Sequence, residues 1–244
     1  MALSLTIEDL DAGYGAVKAL RGVTLDVKAG ETVALLGTNG NGKSTLMKCV
    51  MGLVRPHRGR MSLVVDGRSH DLTRMSAEEV VDLGVALVPE GRRLFPKLTV
   101  KENLMVALDF AAGHSGSLHE RQEAAMAILT RMGLARKARA PTATLSQVEL
   151  RKMELARAMA MGPKLLISDE AMAGLSTSEV DEVLDLLLSL CGENIAIIMI
   201  EHIMQAVMRF SERVMCLDAG RIIAIGAPSE VMANPRVQEA YLGT

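Results

Sequence analysis

Nine consecutive residues, Gly37-Thr38-Asn39-Gly40-Asn41-Gly42-Lys43-Ser44-Thr45, constrain this chain more than any other stretch. An apolar, β-prone run from Thr32 to Leu36 leads into them, and the helical spacing of Leu46, Met47, Val50, Met51 and Leu53 leads away. Gly-x-x-x-x-Gly-Lys-Ser between a strand and a helix is the spacing of a P-loop. Glycines there let successive backbone N–H groups turn toward one anion, because no side chain blocks the approach and positive φ is accessible. The helix start adds partial positive charge, so a di- or triphosphate is the natural ligand. Lys43 is expected to reach the β and γ phosphates and the Ser44 hydroxyl to ligate magnesium. A plain glycine-rich connector is the alternative, but strand, full spacing and helix occur in the required order. The motif leaves open which nucleotide is bound and what its hydrolysis drives.

At 244 residues the chain can form one large α/β domain or two small ones. Apolar residues make up 49% of it yet are dispersed: no run approaches the roughly 18 needed for a membrane span. The first residues lack a basic segment followed by an apolar signal core, so a cytosolic chain is expected. Cys49, Cys191 and Cys216 are isolated and odd in number, which reads as free thiols rather than a disulfide framework or structural zinc. A net charge of −2 gives no global case for nucleic acid as a partner. The 17 methionines read as core filler first and as adaptable contact surface second.

In chain order, Leu3 to Leu10 alternates as a strand and Asp11 to Gly15 reads as a turn. Tyr14, between two turn glycines in a chain poor in aromatics, either stacks on an adenine ring or packs on its own hairpin. Val17 to Leu20 and Val23 to Val27 read as a pair of strands, and Met61 to Val65 as another closed by the turn Asp66-Gly67. Ser76 with Glu79 makes a capping box for a short helix. The continuous apolar strand Val85 to Val88 stops at the polar loop Pro89-Glu90-Gly91-Arg92-Arg93, where ligand contacts commonly sit in α/β sheets. From Thr99 to about Met161 the chain turns helical, with capping boxes at Thr99/Glu102 and Ser146/Glu149, a helical period from His119 to Met132, and a Gly/Ser-rich surface loop from Gly113 to Ser117. This block looks inserted between sheet strands.

Leu165-Leu166-Ile167-Ser168 then runs directly into Asp169-Glu170, and an apolar strand ending in two acids is atypical of a solvated face. Downstream of a P-loop the sharper reading is a Walker B motif, Asp169 holding magnesium through water and Glu170 polarising the attacking water. Ile195 to Ile200 is a second buried strand with Glu201-His202 at its end, the histidine standing open between a structural and a catalytic reading. Arg213 to Leu217 and Ile222 to Ile225 close the sheet as a hairpin.

In this order the motifs resemble the ATPase subunit of ABC transporters over essentially the whole chain. Tyr14 matches the adenine-stacking aromatic, Gly37 to Thr45 Walker A, Leu165 to Glu170 Walker B, Gly174-Leu175-Ser176 the D-loop region, His202 the switch histidine, and Leu145-Ser146 the opening of the signature helix. Val88 to Phe95, Leu98 to Leu104, and the tail through Glu239-Ala240-Tyr241-Leu242-Gly243 look like one of the two ATPase subunits of branched-chain or hydrophobic amino-acid importers. The resemblance implies an α/β P-loop NTPase with a mainly parallel core sheet, an N-terminal antiparallel β subdomain and an inserted helical subdomain. Core and β subdomain would span about 1–91 and 162–244, and the helical subdomain about 92–161. It implies ATP and Mg2+ as ligands, Glu90 sensing metal or water, Glu170 as base and His202 on the γ phosphate. A second ATPase subunit, a transmembrane permease and, indirectly, a solute-binding protein are the implied partners, with the chain peripheral on the inner membrane face.

Three positions depart from the family pattern. Glu90 replaces the usual glutamine, a swap the amino-acid importer subgroup itself tends to show, and Ala171 replaces the usual proline after Walker B. The signature Leu-Ser-Gly-Gly-Gln/Glu reads Leu145-Ser146-Gln147-Val148-Glu149, which implies that Ser146, Gln147, Val148 and Glu149 offer a partner subunit's phosphate a weakened half-site. Two rivals follow: a regulatory nucleotide-binding module with little ATPase, and a soluble P-loop kinase.

Overall fold

The computed structural model describes residues 3–91, 93–111 and 116–242. Arg92 and most of the expected Gly113 to Ser117 loop therefore lie outside the described residues. The strands are β1 (Ser4–Tyr14), β2 (Val17–Lys28), β3 (Thr32–Leu36), β4 (Arg58–Val65), β5 (Arg68–Asp71), β6 (Val85–Val88), β7 (Leu165–Asp169), β8 (Ala196–Ile200), β9 (Arg213–Asp218) and β10 (Arg221–Gly226). The helices used below are α1 (Lys43–Val50), α2 (Ala77–Asp82), α3 (Val100–Phe110), α4 (Leu118–Arg131), α5 (Gln147–Ala160), α6 (Thr177–Cys191), α7 (Met204–Phe210), α8 (Pro228–Ala233) and α9 (Pro235–Leu242).

Two sheets form, as the P-loop NTPase reading expects. The first is antiparallel in the order β2-β1-β4-β5; the second runs β10-β9-β3-β8-β7-β6 and is parallel except for the β9–β10 hairpin. The continuous apolar runs of β3, β7 and β8 follow from burial on both faces. On β3, Val33 and Leu35 pack with Leu46, Met47 and Val50 of α1 and with Leu5 and Ile7 of the first sheet, whereas Ala34 and Leu36 turn to Val207, Val214, Val231 and Val237. A two-residue period thus gives the central strand two separate cores. A third core gathers α3, α4 and α5 through Leu104, Leu129 and Met153 with Leu166 of β7, Ile197 of β8 and Leu184 of α6.

Capping boxes at Ser76/Glu79, Thr99/Glu102 and Ser146/Glu149 start α2, α3 and α5 as read from the sequence, and Ser117/Glu120 starts α4 in the same way. The N-terminal strands differ from expectation. Val17 to Val27 is one strand, and β1 continues through Asp11 to Tyr14. Register shifts beyond Ile7, with Asp9 at φ 49, absorb the extra residues as a bulge, and the Gly22 N–H donates to Asp11 Oδ1 at 2.7 Å. Leu53 is exposed because α1 ends at Val50, where the Leu53 and Val54 N–H groups both fold back to the Lys48 carbonyl at 2.8 and 3.1 Å.

Arg213 on β9 ties the sheets together: Nη1 donates to Asp26 Oδ1 of β2 and Nη2 to Glu31 Oε2 of the β2–β3 turn, each at 3.2 Å. The Arg213 side chain is about three-quarters covered, with 24% of its surface exposed, so the pair lies between surface and buried limits. Arg213→Met should lower the unfolding free energy by about 1–2 kcal/mol, measured by urea denaturation.

Candidate functional site

The phosphate loop leaves β3 at the middle of the second sheet and closes onto α1. Gly42 caps the helix at φ 100 with no side-chain hydrogen bond to the cap, and no acidic residue occupies the first turn. A Cβ on Gly42 would lie 2.6 Å from the Ala19 carbonyl and 2.8 Å from Leu20 Cδ2, so glycine is required for the loop to lie against β2. Asn41 fastens the loop to the β9–β10 turn: Nδ2 donates to Thr38 Oγ1 at 2.8 Å and Asp218 Oδ1 at 3.1 Å, while Oδ1 accepts the Ala219 N–H at 3.1 Å. Lys43 is 8% exposed and its ammonium donates to the carbonyls of Gly37 at 2.6 Å and Thr38 at 3.2 Å. Burial holds its pKa below the usual lysine value, against the pull of Glu170 and Asp169. Thr38, Asn39, Gly40 and Ser44 are exposed and Thr45 is buried. An open, positively polarised helix end of this kind takes anions.

Opposite it, β7 delivers Asp169 as its last residue. Glu170 follows at φ 47, a left-handed conformation unusual for glutamate, pinned by its N–H donating to the Ile200 carbonyl at 2.9 Å. Burial, then Glu170 and Glu90, push the Asp169 carboxyl up to about 6, against Lys43 and Lys48. The structure therefore gathers Lys43, Asp169, Glu170 and Glu90 into one electrostatic group. Among the described residues, no three potential ligands form a ready-made metal cage. A hydroxyl at Ser44 and a carboxylate at Asp169 nevertheless fit a magnesium ion that takes most of its ligands from phosphates and water, and repulsion among the acids favours a cation there.

His202 is exposed just past β8, and Glu90 is exposed at the end of β6. Glu201, given no role by sequence reasoning, is 2% exposed; its Oε1 accepts the Met172 N–H at 2.9 Å, and Oε2 has no hydrogen-bond partner among the described residues. Burial raises its pKa. A carboxylate ending an all-apolar strand was the signal available for it. Tyr14 is 50% exposed at the end of β1, with the Lys48 ammonium 5.7 Å from its ring centroid, which brings the ring beside α1.

The signature residues sit elsewhere, at the start of α5. Ser146 Oγ accepts the Glu149 N–H at 3.4 Å, Glu149 Oε2 accepts the Ser146 N–H at 2.9 Å, and Lys137 pairs with Glu149 at 2.6 Å. Val148 packs on the helical core, and Gln147 is exposed.

The sequence profile described as ABC transporter matches residues 20–173, and the profile described as branched-chain amino acid ATP-binding cassette transporter matches residues 221–244. The chain is 32% identical to the lipopolysaccharide export system ATP-binding protein LptB of Haemophilus influenzae, over 98% of this chain and 97% of LptB. It is 33% identical to the high-affinity branched-chain amino acid transport ATP-binding protein LivG of Salmonella typhimurium, with the same coverages. Among solved structures, the ADP conformation of MJ1267, an ATP-binding cassette of an ABC transporter, aligns over 100% of both chains with a TM-score of 0.88 at 25% identity. CbiO1 of Clostridium perfringens, part of the transporter complex cbiONQ, aligns over 98% of this chain and 95% of its own with a TM-score of 0.83 at 29% identity.

The raised Asp169 pKa has a testable sign. A carboxyl with a higher pKa folded than unfolded binds more protons in the folded state between the two values, so its contribution to stability is present at low pH and lost as pH rises. The nucleotide-free protein should therefore lose stability between about pH 4 and pH 6 through this group. Asp169→Asn should remove that loss and raise stability at pH 7 by about 1–2 kcal/mol, checked by denaturant titration at each pH.

Proposed function

The chain belongs to the ATP-binding subunits of ABC transporters, and we propose that it hydrolyses ATP, at a site shared with a second such subunit, to drive a permease importing branched-chain or related amino acids. The observation that carries the ATPase reading is the meeting of an intact phosphate loop with the Asp169-Glu170 strand end, coupled through Lys43. The amino-acid assignment rests on the match over residues 221–244 and on LivG-like relatives. Export is the second reading, favoured by the LptB relatives.

In this reading Tyr14 stacks on adenine, and Gly37, Thr38, Asn39, Gly40, Asn41, Gly42, Lys43, Ser44 and Thr45 hold the phosphates. Ser44 and Asp169, with Glu90, would hold Mg2+, which would supply charge neutralisation on the phosphates. Glu170 takes a proton from the water whose oxygen attacks the γ phosphorus; the bond to the leaving ADP oxygen breaks, and His202 hydrogen-bonds the transferred phosphate. Closure of the two subunits around nucleotide favours one permease conformation, and hydrolysis releases it.

The division into a core of about 1–91 and 162–244 and a helical subdomain of about 92–161 belongs to the same reading, supported by the convergence of α3, α4 and α5 on one core. The permease would dock where these parts meet. A groove of about 350 Å³ lies there, lined by Met51, Leu87, Pro89, Phe110, Glu154 and Arg157 among others. Pro89 adjoins Glu90, so a docked permease helix would press one residue from the metal site. No helix among the described residues is long and apolar enough to cross a membrane, and the permease is what would hold the chain at the inner face.

The altered signature favours one qualification, a regulatory role with slow turnover. Gln147 and Val148 stand where glycines would let a partner's γ phosphate approach the N–H groups of α5.

Glu170→Gln should keep ATP binding and lose at least about a hundredfold in ATPase; normal turnover would overturn its assignment as the base. Gln147→Gly with Val148→Gly, assayed in the complete transporter, should raise ATPase roughly tenfold to a hundredfold, and an unchanged rate would rule out the weakened half-site.

A further inference from the structure

The C-terminal helix α9 returns to the phosphate loop from the far end of the chain. The Gly37 N–H donates to the Tyr241 hydroxyl oxygen at 2.6 Å, across 204 residues. Gly37 is where the strand ladder stops: Leu36 is the last β3 residue in register with β9, opposite Cys216. Gly37 is buried at φ 154, and a Cβ there would lie 2.4 Å from the Leu217 carbonyl, so its backbone is pressed onto β9. A buried N–H in that position needs a protein partner, and the phenol supplies it. On the same residue, the carbonyl accepts Lys43 Nζ at 2.6 Å. Both polar groups of Gly37 are thus fixed from outside its own strand.

The helix that carries Tyr241 is itself anchored. Val237, one turn earlier on the same face, is fully buried, and Tyr241 packs with it against Ala34, Leu36, Val214 and Cys216. Burial pushes the phenol pKa up to about 12, so the hydroxyl stays neutral at any pH the protein meets. A phenylalanine would fill the same space and leave the Gly37 N–H unpaired.

We infer that Tyr241 is a positioning residue for nucleotide binding: its hydroxyl fixes the first peptide of the phosphate loop, which makes α9 part of the nucleotide site without contact with nucleotide. The inference rests on the proposed function in taking the loop as the ATP site. Without the phenolic oxygen the start of the loop gains freedom that binding must remove, and affinity falls while the chemistry at Glu170 is untouched.

Tyr241→Phe tests this on the full chain, with MgATP binding followed by a fluorescent ATP analogue, ATPase in the complete transporter, and amide hydrogen exchange over residues 37–42 without nucleotide. The expected result is a rise in Kd and KM of about fivefold to tenfold, kcat within about twofold of wild type, and faster exchange at the loop. A lowered Tm with unchanged Kd would reduce Tyr241 to packing and overturn the inference, as would rapid exchange at Gly37 in the unaltered protein. A wild-type chain that bound no MgATP would overturn the functional reading first and this inference with it.

Discussion

The phosphate loop works only because its backbone can touch other backbones. At Gly42 it lies against the Ala19 carbonyl of β2, and at Gly37 against the Leu217 carbonyl of β9, distances at which a single methyl would collide. Both contacts require β3 to sit in the interior of the second sheet with the first sheet folded over α1, which the two faces of β3 specify through separate cores. The loop is therefore built jointly by β2, the β9–β10 turn and α9 rather than by its own nine residues. Sheet order, hairpin placement and the Arg213 tie between sheets all serve to hold those walls in place.

Holding the walls also concentrates charge. Asp169 and Glu170 share a strand end facing Glu90, with buried Lys43 as a nearby cation, and burial works against the charged forms of Asp169 and Lys43. Glu170 adds a left-handed backbone, and Glu201 a buried carboxylate oxygen without a hydrogen-bond partner among the described residues. Such features cost stability, and under the proposed function a bound polyanion with its cation would offset that cost, because ligand affinity for the folded state alone shifts the folding equilibrium.

Local chemistry was legible in the sequence and distant chemistry was not. The phosphate loop, the capping boxes and the doubly buried strands each depend on residues within about one turn or one strand, where spacing alone states the physics. The bulge after Ile7 escaped because turn-forming residues from Asp11 to Gly13 also fit a strand once the register shift absorbs them. Leu53 kept the helical period but not the helix, since period says nothing about where backbone carbonyls are recaptured. The contact between Gly37 and Tyr241 leaves no local trace; the tail showed only a family likeness until the fold brought its phenol to the loop.

The two helix ends that matter for the proposed shared site differ in how they are closed. At α1 the cap is a glycine, the first turn holds no acid, and no side chain hydrogen-bonds to the cap. At α5 the Ser146–Glu149 box satisfies two N–H groups, and Glu149 is further engaged by Lys137. A phosphate from a partner would have to approach beside that cap, across Gln147 and Val148. Val148 is half-buried against the helical core, and Gln147 is exposed. The consequence of the departure from the family signature depends on the pairing. Two copies of this chain would place the substitution in both shared sites. A second subunit with glycines in its signature would complete the site at this chain's own loop and confine the altered half-site to the other.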